Sequence, residues 1–309
     1  MKRRIHNCIS SQKSPRFHCI TFKKRIPGAY PYMFLDDFCA LFSGDLSLSG
    51  KDDGFYGVNP KEDRLWELLR FEDYSFFDYN MDKLLCSLVD SMVHHGTACL
   101  EIVTWENQDK ELVGLSFVPI NPIVSIKAAK TTLFASVQYD KKIKFYKIHN
   151  SRIIRFRLKD VGFSRYYLYR LLKKLKKYDV TNVGDMSLSP QNSGFDFTEY
   201  VRKREFGLLK VTRQVGWYGR NGDNQHMGEG YLLYRIARAK TVRLKMLNYF
   251  LQQINGALKP LEKELGFSGS IIINSIDTDF SKIFDKLEKG EINYSQVGDI
   301  VIPRLGYEK

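Results

Sequence analysis

From residue 80 onward the apolar and polar positions fall into periods that predict their own elements. Over 80–95 apolar side chains recur at Leu84, Leu85, Leu88, Val89, Met92 and Val93, the spacing of a helix that buries one face, and Gly96 supplies its stop. A shorter helical pattern covers 62–72. After Gly96 the period drops to two, with β-branched and aromatic residues alternating with polar ones. That pattern predicts strands over 97–104, 112–118, 132–139, 143–148 and 152–157, with turns at Asn107-Gln108-Asp109 and Asp140-Lys141-Lys142. Pro119 and Pro122 mark the crossing from the first hairpin to the next.

The helical period returns from Phe163 to Tyr178, where Tyr167, Leu168, Leu171, Leu172 and Leu175 share one face and the lysines take the other. Residues 181–196, rich in Ser, Asn, Gly and Pro, predict a loop or domain joint, followed by a helix over 197–212. The longest predicted element is a helix from Tyr231 to Leu258, about 40 Å long, ending near Asn255-Gly256 or Pro260. Its apolar positions include Leu232, Leu233, Ile236, Leu244, Leu247, Leu251 and Ile254, with Arg235, Arg238, Arg243 and Lys245 placed elsewhere on its surface. The tail reads as a βαβ-like module: a strand at Ser270–Ile273, a helix over 280–288 and a last strand at Ile300-Val301-Ile302. The fold class is α+β.

Composition narrows this picture. The chain has 309 residues, 43% hydrophobic and 14% aromatic, with 21 Phe and 18 Tyr, which excludes disorder as its main state and suggests two domains. No apolar run approaches the ~20 residues of a membrane helix. Met1-Lys2-Arg3-Arg4 is like the start of a signal peptide, but His6-Asn7-Cys8-Ile9-Ser10-Ser11 is no apolar core, so no secretion signal is read. The five cysteines are odd in number and form no CxxC, which argues for a reducing, cytoplasmic setting. His6/Cys8 and His18/Cys19 match no zinc spacing.

Charge changes the picture more. The formal net charge is +13, but it is segregated. Residues 1–25 form a basic arm without an acid, 36–90 are dominated by Asp and Glu, and 151–180 are basic again. No acid occurs between Glu229 and Glu262, while Arg235, Arg238, Lys240, Arg243 and Lys245 all fall there. Such blocks suit a polyanion such as DNA, or the acidic face of a neighbouring subunit.

Catalytic chemistry does not converge. The glycines at 216, 219, 222, 228 and 230 have a spacing that can cradle phosphate, but no GxxxxGK[ST] is present, so a flexible glycine loop is the better reading. His94-His95 close a helix and suit capping. Asp90 and Glu101 flank a helix-to-strand transition as the acids of a metal nuclease do, but the lysine expected two residues after Glu101 is missing. No catalytic residue, cofactor or metal site is assigned, and the chain is read as a non-enzyme.

One ordered constellation goes further. Gly96-Thr97-Ala98-Cys99-Leu100-Glu101-Ile102-Val103 leads to Leu115-Ser116-Phe117-Val118-Pro119-Ile120-Asn121-Pro122-Ile123-Val124, then to an alternating pair of strands, and closes at Ser151-Arg152-Ile153-Ile154-Arg155-Phe156-Arg157. This order resembles the wing domain of tailed-bacteriophage portal proteins. The 231–258 helix is similar to a portal stem helix, and Asn255-Gly256 with Gly266-Phe267-Ser268-Gly269-Ser270-Ile271-Ile272 resembles the entry into the clip.

The resemblance implies a basic N-terminal arm over 1–35, a β-rich wing over 36–180, a loop-rich insertion over 181–230, a stem-like helix over 231–262 and a small α/β clip-like module over 263–309. A portal continues into a second stem helix and a crown, so the resemblance is to a short or truncated form. It further implies a homo-oligomeric ring, usually a dodecamer, at one capsid vertex. Double-stranded DNA passes through such a ring, and terminase, capsid and tail connector proteins are its partners, in the virion and, during assembly, in the host cytoplasm. No membrane and no cofactor are involved. Arg235, Arg238, Lys240, Arg243, Lys245, Lys173, Lys174, Lys176 and Lys177 are the candidate contacts, to DNA or to a neighbouring subunit. The alternatives are a basic nucleic-acid-binding protein acting as monomer or dimer and, behind it, a metal-dependent nuclease around Asp90 and Glu101.

Overall fold

The computed structural model describes residues 3–5, 26–38, 54–70, 77–107, 109, 111–120, 124–127, 131–137, 143–164, 167–179, 205–217, 228–274 and 280–301. It is an α+β structure of helices and small antiparallel sheets. The chain divides into two compact units, one built from 1–24, 52–165 and 247–274, the other from 25–51, 166–246 and 275–309. Both take part of the longest helix, Glu229–Leu258, which is about 45 Å long.

In the first unit the helix predicted over 80–95 spans Phe77–His95. Gly96 ends it with φ 78°, and its N–H donates to the Met92 carbonyl at 2.8 Å. The left-handed turn sends the chain straight into the central strand β3 (Thr97–Glu106). The remaining strands are β1 (Arg3–Ile5), β2 (Tyr56–Asn59), β4 (Leu112–Ile120), β5 (Val124–Lys127), β6 (Thr131–Val137), β7 (Ile143–His149), β8 (Ile153–Arg157) and β9 (Ser270–Ile273).

β4 lies antiparallel along one edge of β3, whereas β8 and β1 share the other, β8 pairing with Thr97–Glu101 and β1 with Thr104–Glu106. Every residue of β3 from Ala98 to Thr104 is buried, so both faces are covered. Leu85, Leu88, Val89 and Met92 of the Phe77–His95 helix are buried, and this helix packs on β3. On β8, Phe156 meets Phe250 of the long helix edge to face at 5.4 Å. β5, β6 and β7 form a separate antiparallel sheet. Turn chemistry is local: the Asn107 carboxamide oxygen accepts from the Asp109 and Glu111 N–H groups at 2.9 Å.

Several expectations are revised. Pro119 lies inside β4, opposite Leu100, rather than at a crossing. Of the two ends expected for the long helix, it takes the later one, stopping at Leu258 just before Pro260 rather than at Asn255-Gly256. Asn255 stays helical, and its amide brackets β9, donating to the Ile271 carbonyl at 2.8 Å and accepting from the Ile271 N–H at 2.9 Å. β9 then pairs with β2, Tyr56 opposite Ile273 and Asn59 opposite Ser270. The strand expected at 300–302 is wrong over its described part, because Tyr294–Val301 is a helix. A reciprocal cap explains this. Asn293 Oδ1 accepts from the Gln296 N–H and Gln296 Oε1 accepts from the Asn293 N–H, both at 2.9 Å, so a helix starts before the β-branched residues are reached. The tail is therefore not a βαβ unit.

The second unit contains the helices Ala29–Phe38 and Tyr167–Asp179, which pack on each other, a helical stretch over 205–211, the first part of the long helix and the helices Ile283–Glu288 and Tyr294–Val301. Among the described residues no helix is long and apolar enough to cross a membrane.

Because Gly96 holds a backbone conformation that side chains with a Cβ resist, Gly96→Ala is expected to cost about 1–2 kcal/mol. The check is a lower urea midpoint with an unchanged m value.

Candidate nucleic-acid and subunit interfaces

The basic positions of the long helix do not form one surface. Its exposed positions are Tyr231, Tyr234, Arg238, Lys245, Asn248 and Gln252, separated by steps of three, four, seven, three and four residues and so lying along one face. Arg238 and Lys245 thus reach solvent as expected. Arg235, Lys240 and Arg243 do not: their relative exposures are 0%, 6% and 5%. The expectation that Arg235 and Arg243 lie on the surface is corrected by this burial, and in the single chain these three side chains are not presented to phosphates.

What Arg235 does instead is visible in its bonds. One guanidinium nitrogen donates to the Leu209 carbonyl at 3.0 Å, and the other donates to the Thr212 hydroxyl and the Trp217 carbonyl. Among the described residues its Nε has no hydrogen-bond partner. Burial pushes the guanidinium below the usual arginine range, and the nearby hydroxyls of Tyr231, Tyr234 and Tyr167 counter that shift. The cation thereby ties the 205–217 segment to the long helix. Gly216, at φ 74°, permits the approach: a Cβ there would lie 2.5 Å from both the Arg235 carbonyl and the Ala239 nitrogen. Beyond it, the Trp217 indole N–H donates to Asp37 at 2.7 Å, and the ring sits edge to face on Phe34 at 5.6 Å. Lys240 in turn lies over the Phe280 ring at 5.7 Å.

The lysines of the Tyr167–Asp179 helix meet the expectation better. Leu168, Leu171, Leu172 and Leu175 are buried, while Lys173, Lys174 and Lys177 are exposed and Lys176 is half-buried. With Arg170, the exposed cations stand at steps of three, one and three, forming one ridge about 10 Å long. Lys173 is held over the Tyr169 ring at 4.9 Å. No acid among the described residues forms an ion pair with Lys174 or Lys177.

The residues weighed for nuclease chemistry are bound into the fold. His94 Nδ1 lies 2.9 Å from the Asp90 carbonyl and 3.3 Å from its carboxylate, and Glu101 is buried within β3. Among the described residues no three His, Cys, Asp or Glu side chains come together to hold a metal. His6, Cys8, His18 and Cys19 lie outside the described residues, as do 218–227 of the glycine-rich loop. A cavity of about 420 Å³ opens between the Phe77–His95 helix and β4, lined by Phe77, Met81, Leu84 and Phe117, with Lys83 the only titratable lining residue among the described residues. A lone lysine makes no acid–base pair.

Sequence reasoning missed the exposed tyrosines Tyr231, Tyr234 and Tyr294. The first two were legible, since they stand seven and four residues before Arg238, at positions that extend its face. Compared with known proteins, the chain matches no family model and no curated sequence.

Arg235→Ala is expected to destabilise the fold by about 2 kcal/mol, because it empties a buried site and takes the donor from the Leu209 carbonyl, while the Thr212 hydroxyl keeps its own bonds to the Leu208 and Trp217 carbonyls. Arg238→Ala, one turn away and exposed, should stay within about 0.5 kcal/mol of wild type by urea unfolding.

Proposed function

We propose that this chain is a portal-like subunit: a structural, non-catalytic protein that assembles into a ring, of dodecameric type, at a capsid vertex. Through that ring a packaging motor passes double-stranded DNA. The observation that carries the reading is the order of elements around β3. A helix stopped by Gly96 enters a buried strand, that strand is paired by β4 and closed by β8, and a helix of 30 residues then leads into β9. This is the succession on which the likeness to portal wing, stem and clip rests. The terminase, capsid and tail connector remain its partners in this reading, in the virion and in the host cytoplasm during assembly.

A second reading, a basic nucleic-acid-binding protein acting as monomer or dimer, is favoured by the lysine ridge alone. Its cations are exposed and form no ion pair with an acid among the described residues, as a phosphate-binding face requires. Replacing Lys173, Lys174 and Lys177 by Gln is expected in that case to flatten the dependence of duplex affinity on salt by up to about three in log–log slope. An unchanged slope removes the ridge from any DNA interface.

Multi-angle light scattering separates the two. The ring reading expects a mass many times the 36.0 kDa of one chain, whereas a mass of one or two chains at high concentration favours the second.

A further inference from the structure

The cavity beside β4 offers no acid–base pair, but its lining is that of a binding site. It lies within the first unit and holds about 420 Å³, inside the range of about 300–1,000 Å³ that small-molecule sites occupy. Two elements supply most of its lining. On the Phe77–His95 helix, Phe77, Met81 and Leu84 recur at steps of four and three and turn one apolar line toward it. On β4, Leu115, Phe117 and Pro119 stand two residues apart, so the pleat brings all three to the same face. Both walls are braced. The Trp66 ring meets Phe77 edge to face at 5.0 Å, and the Trp105 indole N–H donates to the Ser116 hydroxyl at 2.9 Å.

The polar groups of the lining select the ligand. Asn80, Lys83 and Ser87 follow at steps of three and four, a second line beside the apolar one. Asn80 and Lys83 are exposed and Ser87 is half-buried, and among the described residues their side chains make no hydrogen bond or ion pair. The Lys83 ammonium lies over the Tyr79 ring at 6.0 Å, a contact that leaves its charge unneutralised. No Asp or Glu is among the described residues that line the cavity. The acids nearest Lys83 along the helix are engaged elsewhere. Asp78 accepts from the Phe55 and Tyr56 N–H groups at 2.6 and 3.0 Å, and Asp82 accepts from the Tyr56 hydroxyl at 2.7 Å. An apolar interior thus meets a rim with one positive charge, an amide and a hydroxyl, all able to donate to an anion.

We propose that this cavity binds a small amphipathic carboxylate: its chain or ring lies among Phe77, Leu84 and Phe117, and its carboxylate takes the Lys83 ammonium and the Asn80 carboxamide. Burial of the apolar part supplies most of the affinity, because water in the cleft finds few partners on such walls. The ion pair supplies the preference for an anion. The inference stands apart from the ring reading, since every residue it uses belongs to the first unit of one chain.

The test is a titration of the full chain with decanoate and with its uncharged counterpart decanol, both kept in monomeric solution and read by tryptophan fluorescence. Trp66 and Trp105 brace the cavity walls and report its filling. Decanoate gives a saturable change in wild type. Lys83→Met keeps the apolar stem and removes the charge, so it weakens decanoate about tenfold and leaves decanol within about twofold. Ser87→Phe fills the cavity and weakens both probes about tenfold or more without lowering the melting temperature appreciably; Ser87→Leu takes its place if that variant fails to fold. No saturable change with either probe up to millimolar concentration overturns the site. Binding that survives the filling variant places the ligand elsewhere and overturns it too. Decanoate affinity unchanged by Lys83→Met, or reduced there equally with decanol, overturns the carboxylate as the ligand class and with it the proposal.

Discussion

A strand buried on both faces must find a partner for every backbone N–H and C=O, and in this chain that demand falls on β3. Its answer organises the first unit. β4 takes one edge along nearly its whole length, and β8 and β1 divide the other. The helix before it covers one set of its side chains. Because β8 must return to close that edge, Phe156 is fixed where Phe250 of the long helix packs. Tyr249, next to Phe250, then accepts from the Arg157 N–H and donates to Asp160, both at 3.1 Å, which secures the exit of β8. Gly96 is the hinge of the arrangement, since its left-handed turn sets where β3 begins, and its carbonyl also accepts from Leu158.

The second unit solves a different problem with charge. Among the described residues Arg235 has no carboxylate acceptor, and its hydrogen bonds go to the Leu209 and Trp217 carbonyls and to hydroxyls. A buried cation so held is costly to enclose, yet it fixes the 205–217 segment because no apolar residue would satisfy those acceptors. The consequence for function is a thinner basic surface than the sequence suggests. Three of the five long-helix cations are withdrawn into the fold, and what remains outward is an aromatic strip ending in Arg238, with Lys245 two turns on. The cationic surface is instead that of the Tyr167–Asp179 helix, where leucines bury one face and leave four cations on the other.

How much of this could be read from residues alone depends on the range of the interaction. The Phe77–His95 helix, its glycine stop and the strands after it other than β5 were legible because periodicity and a left-handed glycine are local signals. The short strand β2 was not, since its partner β9 lies more than 200 residues away and Phe55-Tyr56-Gly57-Val58 gives too brief an alternation. The helix at Tyr294–Val301 was misread as strand from Ile300 and Val301. The Asn293-x-x-Gln296 cap was the signal that should have outweighed them. The exposure of Arg238 and Lys245 agrees with their expected place off the apolar face, but the burial of Arg235 was not legible, because carbonyl acceptors leave no trace in side-chain pattern.

These threads meet in the proposal that subunits organised around β3 assemble into a closed ring. Electron micrographs of the purified protein at micromolar concentration test it most directly. The account predicts closed, rotationally symmetric particles with a central opening; single compact particles, or open chains of variable length, would contradict it.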